Sequence, residues 1–117
     1  MANAEMQVTV DTRGLERAVA QMRPKLRQVI QIAARNVEAE AKRRVPVDTG
    51  ATRNSIAVTT ESDGLGASIG PSTEYSAYLE FGTSRMAARP YMRPALEKER
   101  GPFIAAVTAT LREAERG

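Results

Sequence analysis

The chain has 117 residues, of which 42% are apolar and 4% aromatic, and its formal net charge is +3. This length suits one domain, which we predict over residues 1–117. Cysteine and histidine are absent, which excludes disulfides, thiolate nucleophiles, the commonest general base and the commonest zinc ligand. We therefore expect no metal and no cofactor. No apolar run approaches the ~20 residues of a membrane span, so we also expect no membrane contact.

The first half of the chain predicts a strand and then a long helix. Gln7 to Val10 alternates polar and apolar residues, as a short strand does. From Leu15, apolar residues follow at spacings of three and four as far as Ala41, which predicts one face of a helix that reaches about Arg44. Proline is disruptive in a helix interior. We therefore predict a break in this helix near Pro24.

The second half predicts a hairpin and a second helix. Alternation resumes at Ser55, and Glu-Ser-Asp-Gly at 61–64 suits the connection between two strands, the second of which closes at Gly70-Pro71. Residues 75–81 fit a helical turn or an extended piece, and residues 82–94 an irregular loop. A C-terminal helix follows from Pro94. The fold class predicted is α+β, with a small antiparallel sheet packed against the long N-terminal helix and the C-terminal helix.

Asp48-Thr49-Gly50-Ala51 also matches the start of the catalytic loop of an aspartic protease. Such an enzyme needs two carboxylates that share a proton, and a chain with one such loop could supply them only as a symmetric dimer. Those enzymes are nearly all β, whereas here a predicted helix runs directly into the loop. We therefore favour a structural loop, in which Asp48 accepts backbone hydrogen bonds and Gly50 takes a positive φ. Its residues are Pro46, Asp48, Thr49, Gly50 and Ser55.

Two further elements lie downstream, YSAYLEFGTS at 75–84 and RMAARPYMRPALEKE at 85–99. Together with VPVDTGATRNSIAV at 45–58, they resemble the tail-completion, or head–tail connector, family of long-tailed double-stranded DNA phages. The resemblance covers about residues 12–113, with all three elements in the family's order. The chain departs from the family pattern at Ala51, where leucine is common.

The resemblance implies a non-enzymatic virion protein of a phage or prophage neck, present in the host cytoplasm during assembly. It implies a ring of copies, a hexamer, between the tail and the DNA-filled head. The implied neighbours are a head-side connector or stopper and a tail terminator or tail tube protein, with non-specific contact to packaged DNA as a further possibility. Two alternatives stay open: a small dimeric aspartic protease that uses Asp48, and a basic nucleic-acid-binding module without a virion role.

The residues from Tyr75 to Arg93 are the candidates for an interface. Four of the five aromatic residues lie within this stretch, and three arginines follow Glu80 in a segment, 81–96, without an acidic residue. A compact aromatic core with a Glu80–Arg pair would explain them. So would docking on an acidic neighbouring subunit or on DNA phosphates. The candidates are Tyr75, Tyr78, Glu80, Phe81, Gly82, Thr83, Arg85, Arg89, Pro90, Tyr91 and Arg93.

Overall fold

The computed structural model describes residues 13–46, 50–72 and 75–116, apart from the side chains of Leu15 and Tyr75. The predicted strand Gln7–Val10 lies outside the described residues, as do Asp48 and Thr49. The elements in chain order are α1 (Arg13–Arg44), α2 (Gly50–Ser55), β1 (Ala57–Thr60), β2 (Ala67–Gly70), α3 (Tyr75–Phe81) and α4 (Met92–Arg116). The α+β fold class is confirmed.

Helix α1 runs unbroken from Arg13 to Arg44, so the predicted break near Pro24 is wrong. A proline in a helix interior removes one backbone hydrogen bond, here to the carbonyl of Ala20, and costs about 3 kcal/mol. Both Pro24 and Ala20 are exposed, so solvent can bond the carbonyl that loses its partner. The two flanks of α1 pack on α4, and this tertiary packing outweighs the local penalty.

Helices α1 and α4 pack antiparallel. Lys25 of α1 pairs with Glu113 near the end of α4, and further along α1 the Asn36 Nδ2 donates to Glu99 Oε1 at 3.1 Å. Near the end of α1, Glu40 meets Lys98, close to the start of α4. Residues that ascend along α1 thus meet residues that descend along α4. Helix α4 also continues through Gly101-Pro102, and both of these residues are exposed.

Strands β1 and β2 form an antiparallel hairpin with Val58 opposite Ile69, as predicted. The connection is closed by a hydrogen bond from Gly64 N to Glu61 O at 2.9 Å, with Gly64 at a φ of 75°. The hairpin lies along α1, where Arg27 Nε donates to Asp63 O at 2.8 Å. The six-residue helix α2 occupies a stretch that the sequence analysis assigned to a turn, and the first strand starts at Ala57 rather than Ser55.

The core lies at one end of the molecule. Its buried residues come from the last part of α1, the residue after α2, α3 and the start of α4: Val37, Ala41, Val45, Ile56, Leu79, Tyr91 and Ala95. Helix α1 alone is about 48 Å long, so its first half and the last half of α4 extend beyond this core as a two-helix arm. Among the described residues, no helix is apolar enough over a sufficient length to span a membrane.

Candidate interaction surface

Glu80 connects α3 to the start of α4. Its Oε1 accepts hydrogen bonds from the backbone N–H of Met92 at 2.8 Å and of Tyr91 at 3.3 Å, and its Oε2 accepts one from Arg93 N at 3.2 Å. The first N–H groups of a helix have no partner within the helix, and a carboxylate there also interacts favourably with the helix dipole. Glu80 is therefore the N-terminal cap of α4, a role that the sequence analysis did not predict.

The loop between α3 and α4 is shaped by Gly82. Its φ is 75°, and its N–H donates to Tyr78 O at 2.8 Å, which ends α3 in the left-handed conformation that glycine favours. A Cβ at this position would lie 2.8 Å from Ala88 N and 2.9 Å from Met86 O. The loop thus folds back against Gly82, and no larger residue fits there without a shift of the backbone.

Further hydrogen bonds shape the loop internally, and one holds it to α3. Thr83 N donates to Met86 O at 2.8 Å, and the Thr83 hydroxyl accepts from Arg85 N at 3.2 Å. Arg89 N donates to Leu79 O at 2.7 Å, so the loop returns to the buried face of α3. The next residue, Pro90, is exposed to solvent. The loop is therefore shaped chiefly by hydrogen bonds of its backbone.

The aromatic candidates whose side chains the structure describes divide into two groups. Tyr91 is 1% exposed and belongs to the core. Burial raises the pKa of Tyr91, a hydrogen bond with Ser76 opposes that shift, and the charge of Glu80 adds to it. Tyr78 and Phe81 are instead 52% and 69% exposed. A core role thus fits Tyr91, whereas Tyr78 and Phe81 present ring surface to solvent.

One basic candidate lies over the Phe81 ring, and two others follow in the loop. The guanidinium carbon of Arg93 lies 5.9 Å from the centre of the Phe81 ring, within cation–π range. Arg85 and Arg89 are exposed in the loop that follows Phe81. We call the exposed aromatic and basic residues of this region the Phe81 surface, and they are Tyr78, Phe81, Arg85, Arg89 and Arg93. Its combination of aromatic rings and arginine is typical of protein interfaces.

The Asp-Thr-Gly element lies at the core end of α1. Of its residues, the structure describes Pro46, which is half-buried, Gly50 and Ser55. Gly50 begins α2 and is not among the glycines with positive φ, so that expectation is wrong. A helical start needs only an ordinary negative φ. The Ser55 hydroxyl donates to Thr52 O at 2.8 Å and accepts from Ser72 N at 3.1 Å, and so ties α2 to the end of the hairpin.

A charge cluster around the buried carboxylate of Glu40 was not predicted. Glu40 is 8% exposed and pairs with Arg43, Arg44 and Lys98. The signal for it in the sequence was its position between Val37 and Ala41, on the apolar face of α1. Its two nearest cations follow three and four residues later, at the spacing of helix neighbours. Through the Glu40–Lys98 pair, the cluster connects α1 to α4.

This arrangement is suited to binding. The hydrogen bonds of Glu80, Gly82 and Arg89 tie the loop between α3 and α4 to the helices, and the Phe81 surface lies beside this loop. Within the described ranges, no group of three or more His, Cys, Asp or Glu side chains is placed to hold a metal ion. The chemistry that remains on the Phe81 surface is ring stacking, apolar contact and the pairing of arginine with carboxylates or phosphates.

Comparison with known proteins gives one match. Residues 12–82 match the model of a family described as "Bacteriophage HK97-gp10, putative tail-component". The match covers more than half of the 117 residues and includes the Asp-Thr-Gly element, the hairpin and α3. None of the curated proteins and none of the solved structures matches the chain.

Proposed function

Because the chain belongs to the HK97-gp10-like family of bacteriophage tail components, we propose that it is a non-catalytic structural protein of the neck of a phage or prophage. It joins the tail to the DNA-filled head as part of an oligomeric ring, a hexamer. The observation that carries this proposal is the Phe81 surface, which adjoins the core. An aromatic ring that is 69% exposed gains by contact with a partner that covers it.

The charges of the Phe81 surface indicate which partners fit. Segment 81–96 carries three arginines and no acidic residue, so acidic protein surfaces complement it. The proposed partners are copies of the same chain, a head-side connector or stopper, and a tail terminator or tail tube protein. Packaged DNA could be contacted through the same arginines, which would pair with its phosphates without reading the sequence.

The architecture does not favour the protease alternative. The described residues contain one two-stranded sheet, and α1 leads towards the Asp48 loop where an aspartic protease has a strand. Asp48→Asn tests the point directly, because an amide oxygen still accepts a loop hydrogen bond but an amide cannot share a catalytic proton. We expect Asp48→Asn to retain assembly activity. Peptide cleavage by the purified protein that disappears in this variant would restore the protease hypothesis.

The neck role is tested by complementation of a phage that lacks the gene. The wild-type gene should restore infectious particles, whereas without it full heads and separate tails should accumulate in the lysate. The variant Arg85→Ser/Arg89→Ser/Arg93→Ser should melt near the wild-type temperature and yet fail to join heads to tails. The matched control is Arg23→Ser/Arg35→Ser/Arg112→Ser, which removes the same charge from exposed helix positions. Joined particles in the absence of the gene would overturn the proposal.

A further inference from the structure

An open apolar groove lies over α1, between the hairpin and α4. Its volume is about 420 Å³, and its lining includes Ile30 and Val37 of α1 and Leu96 and Phe103 of α4. Every hairpin residue in the lining belongs to β2 or to the turn before it: Leu65, Gly66, Ala67 and Ile69. Strand β2 is therefore the strand of the hairpin that borders the groove.

The edge of β2 on the groove side offers backbone groups for a further strand. Glu61 N donates to Gly66 O at 2.9 Å, so these two residues form a hydrogen-bonded pair. Opposite residues of an antiparallel ladder alternate between hydrogen-bonded and non-hydrogen-bonded pairs. By the register of the hairpin, Ala67 and Ile69 belong to non-hydrogen-bonded pairs. Their N–H and C=O groups therefore point away from β1, and the part of the chain that the structure describes places no third strand there.

The same place is suited to apolar side chains on one face of an added strand. Ala67 and Ile69 are half-buried, whereas Ser68 between them is exposed, so the sheet has an inner apolar face and an outer polar face. Across the groove, Leu96 is 51% exposed. An extended segment beside β2 would pair with its edge and bury apolar side chains against Leu96. A helix in the groove would leave the edge unpaired.

A segment of this chain has the pattern that such an edge accepts. Gln7-Val8-Thr9-Val10, the predicted strand outside the described residues, alternates polar and apolar residues and carries no charge and no proline. Successive side chains of a strand point to opposite faces. Beside β2, Val8 and Val10 would therefore face the groove, and Gln7 and Thr9 would face the solvent.

This segment cannot reach β2 of its own chain. Val10 precedes Arg13, the start of α1, by three residues, and so can lie at most about 11 Å from it. The Gln31 side chain bonds Thr60, which is opposite Ala67. Gln31 lies about 27 Å along α1 from Arg13, and the rest of β2 lies closer to the core end. The segment can therefore pair with β2 only in another molecule.

We propose that residues 7–10 of one copy add as a third strand to the free edge of β2 in a second copy of this chain. The first half of α1 carries the segment away from its own hairpin and so presents it to a neighbour. Donor segment and acceptor edge are different surfaces, so the contact repeats from copy to copy and can close into a ring. The inference rests on the proposed function in that it assigns the contact by which copies of the ring join.

Disulfide formation between single-cysteine variants tests the contact, because the natural chain has no cysteine. Thr9→Cys and Ser68→Cys would be mixed at about 1 mM, one of them with a tag that changes its mass, and mildly oxidised. A disulfide requires Cβ atoms about 4 Å apart, near the spacing of opposite residues on neighbouring strands. Gln7→Cys is tested in parallel, so that a register shifted by two residues is also detected.

The matched acceptor control is Thr59→Cys. Thr59 is exposed and lies opposite Ser68 on the same face of the hairpin, but on the strand away from the groove. We expect mixed disulfides with Ser68→Cys and several-fold fewer with Thr59→Cys. Equal yields, or a higher yield with Thr59→Cys, would overturn the proposal. So would a disulfide within single chains of Thr9→Cys/Ser68→Cys in dilute solution.

The disulfide yields and the complementation assay separate this contact from the neck role. If deletion of the gene blocks the joining of heads to tails but the yields are equal, the contact is wrong and the neck role stands. If the mixed disulfides form selectively but deletion leaves joined particles, the contact stands and the neck role is wrong.

Sedimentation equilibrium at concentrations up to about 1 mM supplies a second measurement. Val8→Asp/Val10→Asp places two charges on the face of the segment that enters the groove, and should raise the Kd of self-association at least tenfold. Gln7→Asp/Thr9→Asp is the control, since it adds the same charge to the same segment on the solvent face. An equal change of the Kd in both variants, or a wild-type protein that stays monomeric at about 1 mM, would contradict the proposal.

Discussion

The two ends of the α1–α4 pair are stabilised in different ways. At the core end, α2, the hairpin and α3 cover the helices, and the buried residues Leu79, Tyr91 and Ala95 come from α3, the loop and α4. In the arm, the two helices pack on each other, and Thr110 is the buried residue of α4 there. Burial of apolar area is the main source of folding free energy. The core end therefore holds most of the stability, and the arm depends on it.

Truncation of a core side chain tests this difference most strongly. Leu79 is 0% exposed, so Leu79→Ala should lower the free energy of unfolding by about 2–5 kcal/mol. Leu111 in the arm is 43% exposed, and we expect Leu111→Ala to cost less than about 1 kcal/mol. Urea denaturation of both variants measures the two values. Similar losses would show that the arm is as important to stability as the core.

A pair of glycine substitutions sharpens the comparison at the backbone. Gly82→Ala places a methyl group at a positive φ and against Ala88 and Met86, and should cost about 1–3 kcal/mol. Gly14, in the arm, has ordinary helical φ and open space around it. Gly14→Ala should therefore stabilise the protein by up to about 1 kcal/mol. Thermal melts check both signs, and a harmless Gly82→Ala would show that the loop adjusts freely.

The order of elements follows from the sequence because it depends on local patterns. The spacing from Leu15 to Ala41 identifies α1, and alternation around a Glu-Ser-Asp-Gly turn identifies the hairpin. The continuity of α1 at Pro24 does not follow, since it depends on packing against a helix some 80 residues away. The length of α2, six residues, is too short for a periodic pattern to appear.

The candidate surface was predictable in its residues but not in their roles. The arginine series and the aromatic cluster are visible in segment 75–93, yet the sequence does not separate the buried Tyr91 from the exposed Tyr78 and Phe81. That division depends on the way the loop turns at Gly82. The capping role of Glu80 also depends on the tertiary structure, because its partners lie 11 to 13 residues further along the chain.

Glu80 supplies a test of how firmly the core end holds the Phe81 surface. Glu80→Ala removes the acceptor of three backbone N–H groups and should cost about 1–2 kcal/mol, as the loss of a strong helix cap does. Because α4 would then fray at its first turn, the amides of 91–93 should exchange with deuterium faster than in the wild type. Glu97→Ala, at an exposed position one turn later, is the control. Unchanged exchange in Glu80→Ala would show that core packing alone fixes the start of α4.

The smallest effect is expected for the ion pair of the arm. Lys25 and Glu113 join α1 to α4 far from the core, and their side chains are 51% and 54% exposed. Exposed pairs contribute about 0–1 kcal/mol, because solvent screens the charges and both side chains lose conformational freedom. Lys25→Met, which keeps the apolar stem, should therefore change the melting temperature only slightly, and the change should vanish at about 1 M salt, where the Debye length is about 3 Å. A double-mutant cycle with Glu113→Gln isolates the coupling from other effects of either substitution. A coupling energy above about 2 kcal/mol would lie beyond the usual range for exposed pairs. It would mean that this ion pair stabilises the arm independently of the core end.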